Sequence, residues 1–210
     1  MRASIIAMLD QAFQFFKAGG WVMYPLLLMS VLSLTLIFER FVFWGLVQRG
    51  GPSQLIRYID QLQQLGRDEL LKRSSRDRTL EGRLVHAALK DNTTSDSALI
   101  GHIEMLRSSI ERFSPTLGTI IAAAPLLGIL GTVTGIIQSF DLLGEAASVS
   151  DPAIVAGGIA EALYTTAFGL SIALVTLFPH VYYKVCADRA LGRLELLAGA
   201  IADLQPSPNL

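Results

Sequence analysis

Residues Pro152–Tyr183 read PAIVAGGIAEALYTTAFGLSIALVTLFPHVYY, and Glu161 is the only formally charged residue among them. A bilayer core asks for about 20 apolar residues at a rise of about 1.5 Å each, so this stretch reads as a membrane span with a carboxylate inside it. An ionisable side chain in hydrocarbon is costly unless it faces protein, water or a counter-ion. Glu161 is therefore read as an ion or proton site.

Two further stretches have the same character. No charge falls from Ala18 to Phe38 or from Phe113 to Phe140. The chain is 51% hydrophobic over 210 residues, with a mean hydropathy of +0.47, too apolar for an ordinary soluble domain. The first span is too long for a signal-peptide core. It lacks a small-x-small cleavage site and ends in Glu39-Arg40 followed by Phe41, Phe43 and Trp44, which reads as a retained helix with an interfacial aromatic belt.

Charge placement orients the chain, because Lys and Arg collect on the cytoplasmic side. Fifteen of the seventeen basic residues fall at Arg40, between Gln48 and Arg112, or after Tyr183, whereas the linker Asp141–Asp151 has three acids and no base. The N-terminus is expected in the periplasm and the C-terminus in the cytoplasm. A net charge of −1 excludes an electrostatic nucleic-acid surface. Cys186 stands alone, so neither an intrachain disulfide nor a cysteine metal site is expected.

The polar segment is helical by periodicity. Gly50-Gly51-Pro52 breaks the first helix, after which Leu55, Ile59, Leu62 and Leu65 form an amphipathic stripe. The basic run KRSSRDR, Lys72–Arg78, is read as a solvated turn, with anionic lipid heads as a secondary partner. Beyond the polar break Asp91–Ser97, Leu99, Ile103, Leu106, Ile110 and Phe113 step straight into the second span, predicting one continuous helix. Ala187, Leu191, Leu194, Ala198 and Ile201 repeat the seam after the third span, until Pro206 and Pro208 end it. The expected fold is an all-α membrane protein: three transmembrane helices, with long helices extending into a cytoplasmic helical domain. Its segments are a periplasmic 1–17, a first transmembrane helix over 18–47, a cytoplasmic helical segment 48–112, a second transmembrane helix over 113–140, a periplasmic linker 141–151, a third transmembrane helix over 152–183, and a cytoplasmic helix and tail 184–210.

Polar chemistry within the spans is sparse. Gly128, Gly131 and Gly135 in the second span, like Gly169 in the third, sit where close helix packing needs small residues. No Gly-Lys-Ser/Thr follows them, so they are not a phosphate loop. Thr132 and Thr134 either bond their own backbone or, for Thr132, lend an oxygen to a cavity that solvates Glu161. On an ideal helix Thr165 lies within about 40° of Glu161 and Thr166 about 140° away, which favours Thr165 as the helper. Glu161 is either a relay, its pKa raised by desolvation and lowered by water or cations, or a protonated interhelical hydrogen-bond partner. Glu39 and Arg40 are expected to anchor the first helix at the inner interface, with Arg40 snorkelling to the head groups or pairing between subunits. His86, His102 and His180 are scattered and make a weak metal signal. Asp141, Glu145 and Asp151 read as a solvated loop, with an outer proton funnel as the alternative. No nucleophile, base and orienting acid come together, so the chain is not expected to be an enzyme or to need a cofactor.

The combination of Gly19-Gly20-Trp21-Val22-Met23-Tyr24-Pro25-Leu26 and Glu39-Arg40, Ala124-Pro125-Leu126-Leu127-Gly128-Ile129-Leu130-Gly131-Thr132-Val133 with Gly135, and Ile159-Ala160-Glu161-Ala162-Leu163 with Thr166 and Gly169-Leu170 closely resembles the ExbB/TolQ/MotA proton-channel family, and ExbB most. The resemblance covers all three spans in order. It implies a bacterial inner-membrane homopentamer, a ring of about five copies enclosing ExbD/TolR-like single-span helices that each carry a membrane aspartate. Proton flow would move that inner pair and, through a TonB-like transducer, energise outer-membrane transport. A TolQ-like role in envelope maintenance or gliding, or a non-conducting scaffold, is the alternative. By the same resemblance Glu161 matches the essential carboxylate, and Thr132 and Thr166 match threonines lining the path. The helix wheel favours Thr165, and both stay in play. Departures also occur. After Gly169-Leu170 in the third span proline comes only at Pro179, which would displace any kink toward the cytoplasm, and the extra hydroxyl of Thr165 leaves Na⁺ beside H⁺ as the transported ion.

Overall fold

In the computed structural model the residues described are 16, 19–47, 51–91, 95–145 and 152–203. Their regular structure is helical throughout: α1 Met23–Val47, α2 Gly51–Gln64, α3 Arg67–Arg76, α4 Leu80–Lys90, α5 Asp96–Ile110, α6 Ser114–Glu145 and α7 Pro152–Ala202. Three are long and apolar enough to cross a membrane, over Met23–Val47, Ser114–Asp141 and Ala156–Ala202. The expected all-α chain with three such helices is what the structure shows. The N-terminal 1–15 and the linker 146–151 lie outside the described residues.

The chain divides into two compact units, 1–37 with 115–180 and 38–114 with 181–210. In the first, Val22, Met23 and Leu26 pack with Ile120, Ala124 and Ile172. Gly20 has φ 62° in the turn that precedes α1, a conformation costly for a residue with a Cβ. Most of each spanning window is uncovered by the chain itself, with only 22%, 22% and 28% buried. Apolar surface on that scale needs lipid or other protein chains to cover it.

In the second unit α3 packs on α4, α4 on α5, and α2 against both. The seam residues Leu99, Ile103, Leu106 and Ile110 are buried, as are Ala187, Leu191, Leu194, Ala198 and Ile201. The α2 stripe of Leu55, Ile59, Leu62 and Leu65 is only half-buried, and the fully buried residue of that helix is Tyr58.

Two expectations are corrected here. The helix from Leu99 does not continue into the second span. It ends at Ile110, Phe113 takes φ 68°, and α6 restarts at Ser114. Pro115 favours the break: it has no N–H for the Glu111 carbonyl, which accepts from the Ser114 N–H at 2.9 Å instead, and a proline is tolerated in the first turn of α6. The run Lys72–Arg78 is likewise not a solvated turn as a whole. Residues 72–76 complete α3 with Ser74 buried, and only Asp77–Thr79 leave the helix. There Asp77 Oδ1 accepts from the Thr79 N–H at 3.0 Å and Thr79 Oγ1 from the Gly82 N–H at 3.2 Å, which caps α4.

Candidate functional site

Within the first unit α6 and α7 approach so closely that small residues are obligatory. A Cβ added at Gly128 would stand 2.9 Å from the Thr165 carbonyl oxygen, one at Gly131 2.7 Å from Thr165 Cβ, and one at Gly135 2.8 Å from Ala162 Cβ. A Cβ at Gly169 would press into the Ala124 carbonyl. All four glycines thus serve packing between helices of one chain.

The hydroxyls of this interface converge on one carbonyl. Thr165 Oγ1 is within donating distance of the Gly128 oxygen, at 3.1 Å, and of the Ala162 oxygen, at 2.7 Å. Thr166 Oγ1 donates to the same Gly128 oxygen at 2.9 Å and lies 3.4 Å from Thr132 Oγ1, which itself donates to the Ile129 carbonyl at 2.6 Å. The structure therefore brings Thr132, Thr165 and Thr166 together around Gly128. Thr134 bonds its own helix at the Leu130 and Gly131 carbonyls, the backbone alternative set out for it.

Thr165 is buried and Thr166 half-buried. Thr165 also walls a cavity of about 110 Å³ that Thr134, Gln138, Ser139, Gly135 and Gly158 help to line. At about 30 Å³ of liquid volume each, that is room for a few waters, with polar partners at hand. Glu161 belongs to α7 at this level, one turn before Thr165. Its side chain lies outside what the structure describes, as do those of Glu145 and Asp151, while Asp141 is exposed.

Glu39 and Arg40 lie in the second unit, and the snorkelling expected of Arg40 is corrected. Its side chain is 4% exposed. The guanidinium donates to the Ser109 and Ile110 carbonyls at 3.2 and 3.3 Å and to Glu39 Oε1 at 2.7 Å, with the Phe43 ring 4.4 Å away. The last carbonyls of α5 have no helical donors because the helix breaks at Phe113, and the arginine fork supplies them. Head groups and a neighbouring subunit would have to compete with four bonds already made within the unit.

Sequence reasoning missed two polar clusters in this unit. Arg193 Nε donates to the buried Glu81 carboxylate at 2.9 Å. Nothing local marks Glu81 beyond an acid in a helix's first turn. Tyr58 OH donates to Asp77 Oδ2 at 2.7 Å, and Arg57 reaches the same oxygen at 3.3 Å. Burial pushes the Asp77 carboxyl up, but bonds from Thr79 and Tyr58 and the Arg57 charge outweigh it and hold the pKa below its ordinary value. Burial and the Asp77 charge raise the Tyr58 phenol. The signal available was the Asp-x-Thr turn between two helices. His102 Nε2 lies 3.4 Å from Asp91 Oδ2, and His86 Nδ1 is buried without a partner among the described residues. No group of three or more His, Cys, Asp or Glu that could hold a metal occurs among the described residues.

Residues 68–196 match the profile of the MotA/TolQ/ExbB proton channel family. Two ExbB-like biopolymer transport proteins of Synechocystis are similar, one 34% identical with 93% of this chain and 83% of the relative covered, the other 33% identical over 86% and 91%. An ExbB homologue of Methanothermobacter thermautotrophicus is 27% identical over 92% of this chain and 70% of its own length. The matched region takes in the α6–α7 interface with its glycines, its three threonines and Glu161, and with relatives aligned along nearly the whole chain, this multi-pass membrane protein belongs to the MotA/TolQ/ExbB proton channel family.

Proposed function

We propose that the chain is an ExbB-like subunit of an ion-driven motor in a bacterial inner membrane, with its N-terminus periplasmic and its C-terminus cytoplasmic. Copies form a ring of about five around single-span ExbD/TolR-like partners. Glu161 takes up and releases the proton, and the hydroxyls of Thr132, Thr165 and Thr166 hold water beside it. Work leaves through a TonB-like transducer toward outer-membrane transport.

The observation that carries this reading is the hydroxyl cluster at the Gly128 carbonyl, one turn along α7 from the only acid within the third span. A buried hydroxyl beside a carboxylate gives a relay both a donor and an acceptor. The exposed apolar faces of α1, α6 and α7 support assembly with lipid and further chains.

Native mass spectrometry of the complex, purified from its host membrane in mild detergent, tests the assembly. About five copies with a small substoichiometric partner are expected. A monomer or dimer without such a partner would contradict the ring.

A further inference from the structure

Three arginines from two helices line one polar cleft of the second unit. Arg57 on α2 and Arg73 and Arg76 on α3 surround an open space of about 440 Å³, together with Gln54, Tyr58 and Asp77. Asp77 is the only acid lining it among the described residues, and its charge is already engaged by Tyr58 OH, the Thr79 N–H and Arg57. Arg73 has only an exposed pairing with Glu69, at 3.2 Å on the same helix. Arg76 has no ion pair or hydrogen bond among the described residues. With Arg57 paired to Asp77 and Arg73 to Glu69, three guanidiniums face two carboxylates, and the cleft keeps one net positive charge, that of Arg76.

The dipole of α3 explains basic residues in its last turn. The third guanidinium comes from α2, where Arg57 reaches the same space while bonded to Gln54 Oε1 and Asp77 Oδ2. Guanidinium groups present planar forks of donors that match phosphoryl oxygens, and several around one concavity are the usual requirement for holding such an anion. Gln54 brings an amide to the rim.

We infer that the cleft between α2 and the end of α3 binds a phosphoryl group, held by Arg57, Arg73 and Arg76. Two sources offer that chemistry, an anionic phospholipid head group and free phosphate. Gln54 follows the end of α1 by seven residues, which is at most about 25 Å of extended chain, so a head group at the end of a membrane-spanning α1 is within reach. The inference does not depend on the motor or on Glu161.

Isothermal titration calorimetry of the intact complex in phosphate-free detergent at physiological salt tests it, with inorganic phosphate, dihexanoyl phosphatidylglycerol and dihexanoyl phosphatidylcholine as probes. Saturable binding of phosphate or phosphatidylglycerol is expected, weakened about tenfold or more in R73Q/R76Q. Both side chains of that variant lie on the surface, so its fold should hold, and an unchanged thermal transition checks this. R83Q, whose side chain lines a separate pocket and not this cleft, should bind as the wild type does. Binding of phosphatidylglycerol alone identifies a lipid head group, and binding of phosphate a soluble anion. No saturable binding by the wild type, or equal binding by R73Q/R76Q, would overturn the inference.

Discussion

The Arg193 guanidinium donates to the Glu81 carboxylate at 2.9 Å across 112 residues of sequence, joining the first turn of α4 to the later part of α7. The two partners are not equally buried, with side-chain exposures of 19% for Arg193 and 2% for Glu81. Removing one partner of a buried pair costs about 3–5 kcal/mol, chiefly from the charge left behind. Arg193→Met, which strands the deeper charge, should therefore destabilise the second unit more than Glu81→Gln, which leaves a guanidinium that can turn toward water. Denaturant melts of the two variants check the order, and equal losses would show that burial does not govern the pair.

Arg40 makes a related prediction. Arg40→Leu strips donors from the Ser109 and Ile110 carbonyls and leaves Glu39 without its partner, at a cost of about 2–4 kcal/mol. Arg40→Lys keeps the charge but loses the fork, and should recover only part of it. Hydrogen exchange in the last turn of α5 should accelerate in Arg40→Leu. Unchanged protection there would mean that the guanidinium does not hold that helix end.

The glycines of α6 and α7 separate by what surrounds them. A methyl group at Gly169 meets backbone, the Ala124 carbonyl carbon at 3.2 Å, whereas among the described residues nothing lies within 4 Å of one at Gly157. Gly169→Ala should cost about 1–3 kcal/mol by overpacking. Gly157→Ala should be neutral or gain up to about 1 kcal/mol from helix propensity. Thermal melts in detergent distinguish them, and equal effects would argue against close α6–α7 packing.

Acid and alkali should act on the second unit through Asp77 and Tyr58, which share a hydrogen bond. The Asp77 carboxyl titrates below its ordinary value of 3.8, so its stabilisation is present above that pH and disappears as pH falls through the lower, folded value. The Tyr58 phenol is raised above its ordinary 10.0, so its contribution is complete below pH 10 and is lost as pH climbs through the folded value. Tyr58→Phe removes the bond. Its acid transition should shift to higher pH, and its alkaline loss of stability should shrink. A pH-stability profile matching the wild type at both ends would contradict the coupling.

Much of the fold was legible because its signals are local and additive. The apolar runs that became α1, α6 and α7, and the seams of α5 and the later α7, follow from composition and periodicity alone. What escaped depended on partners distant in sequence or on single residues. Hydrophobic steps of three and four ran through Phe113 because periodicity is blind to a proline two residues on. The serines of Lys72–Arg78 looked like turn residues, but Ser74 faces the bundle and bonds the Leu71 carbonyl. Arg40 looked like a snorkelling anchor because the carbonyls it serves are 69 and 70 residues away. The choice between Thr165 and Thr166 could not come from a single-helix wheel, since the carbonyl that gathers both belongs to Gly128 on another helix.

The proposed motor stands or falls on Glu161 as the carrier of the ion. The most direct measurement is proton flux into liposomes containing the purified complex under an imposed pH gradient, wild type against Glu161→Gln, with native mass spectrometry of both samples. The variant should assemble with the same stoichiometry, and its flux should fall to the level of empty liposomes. A correctly assembled Glu161→Gln complex that conducts like the wild type would contradict that role.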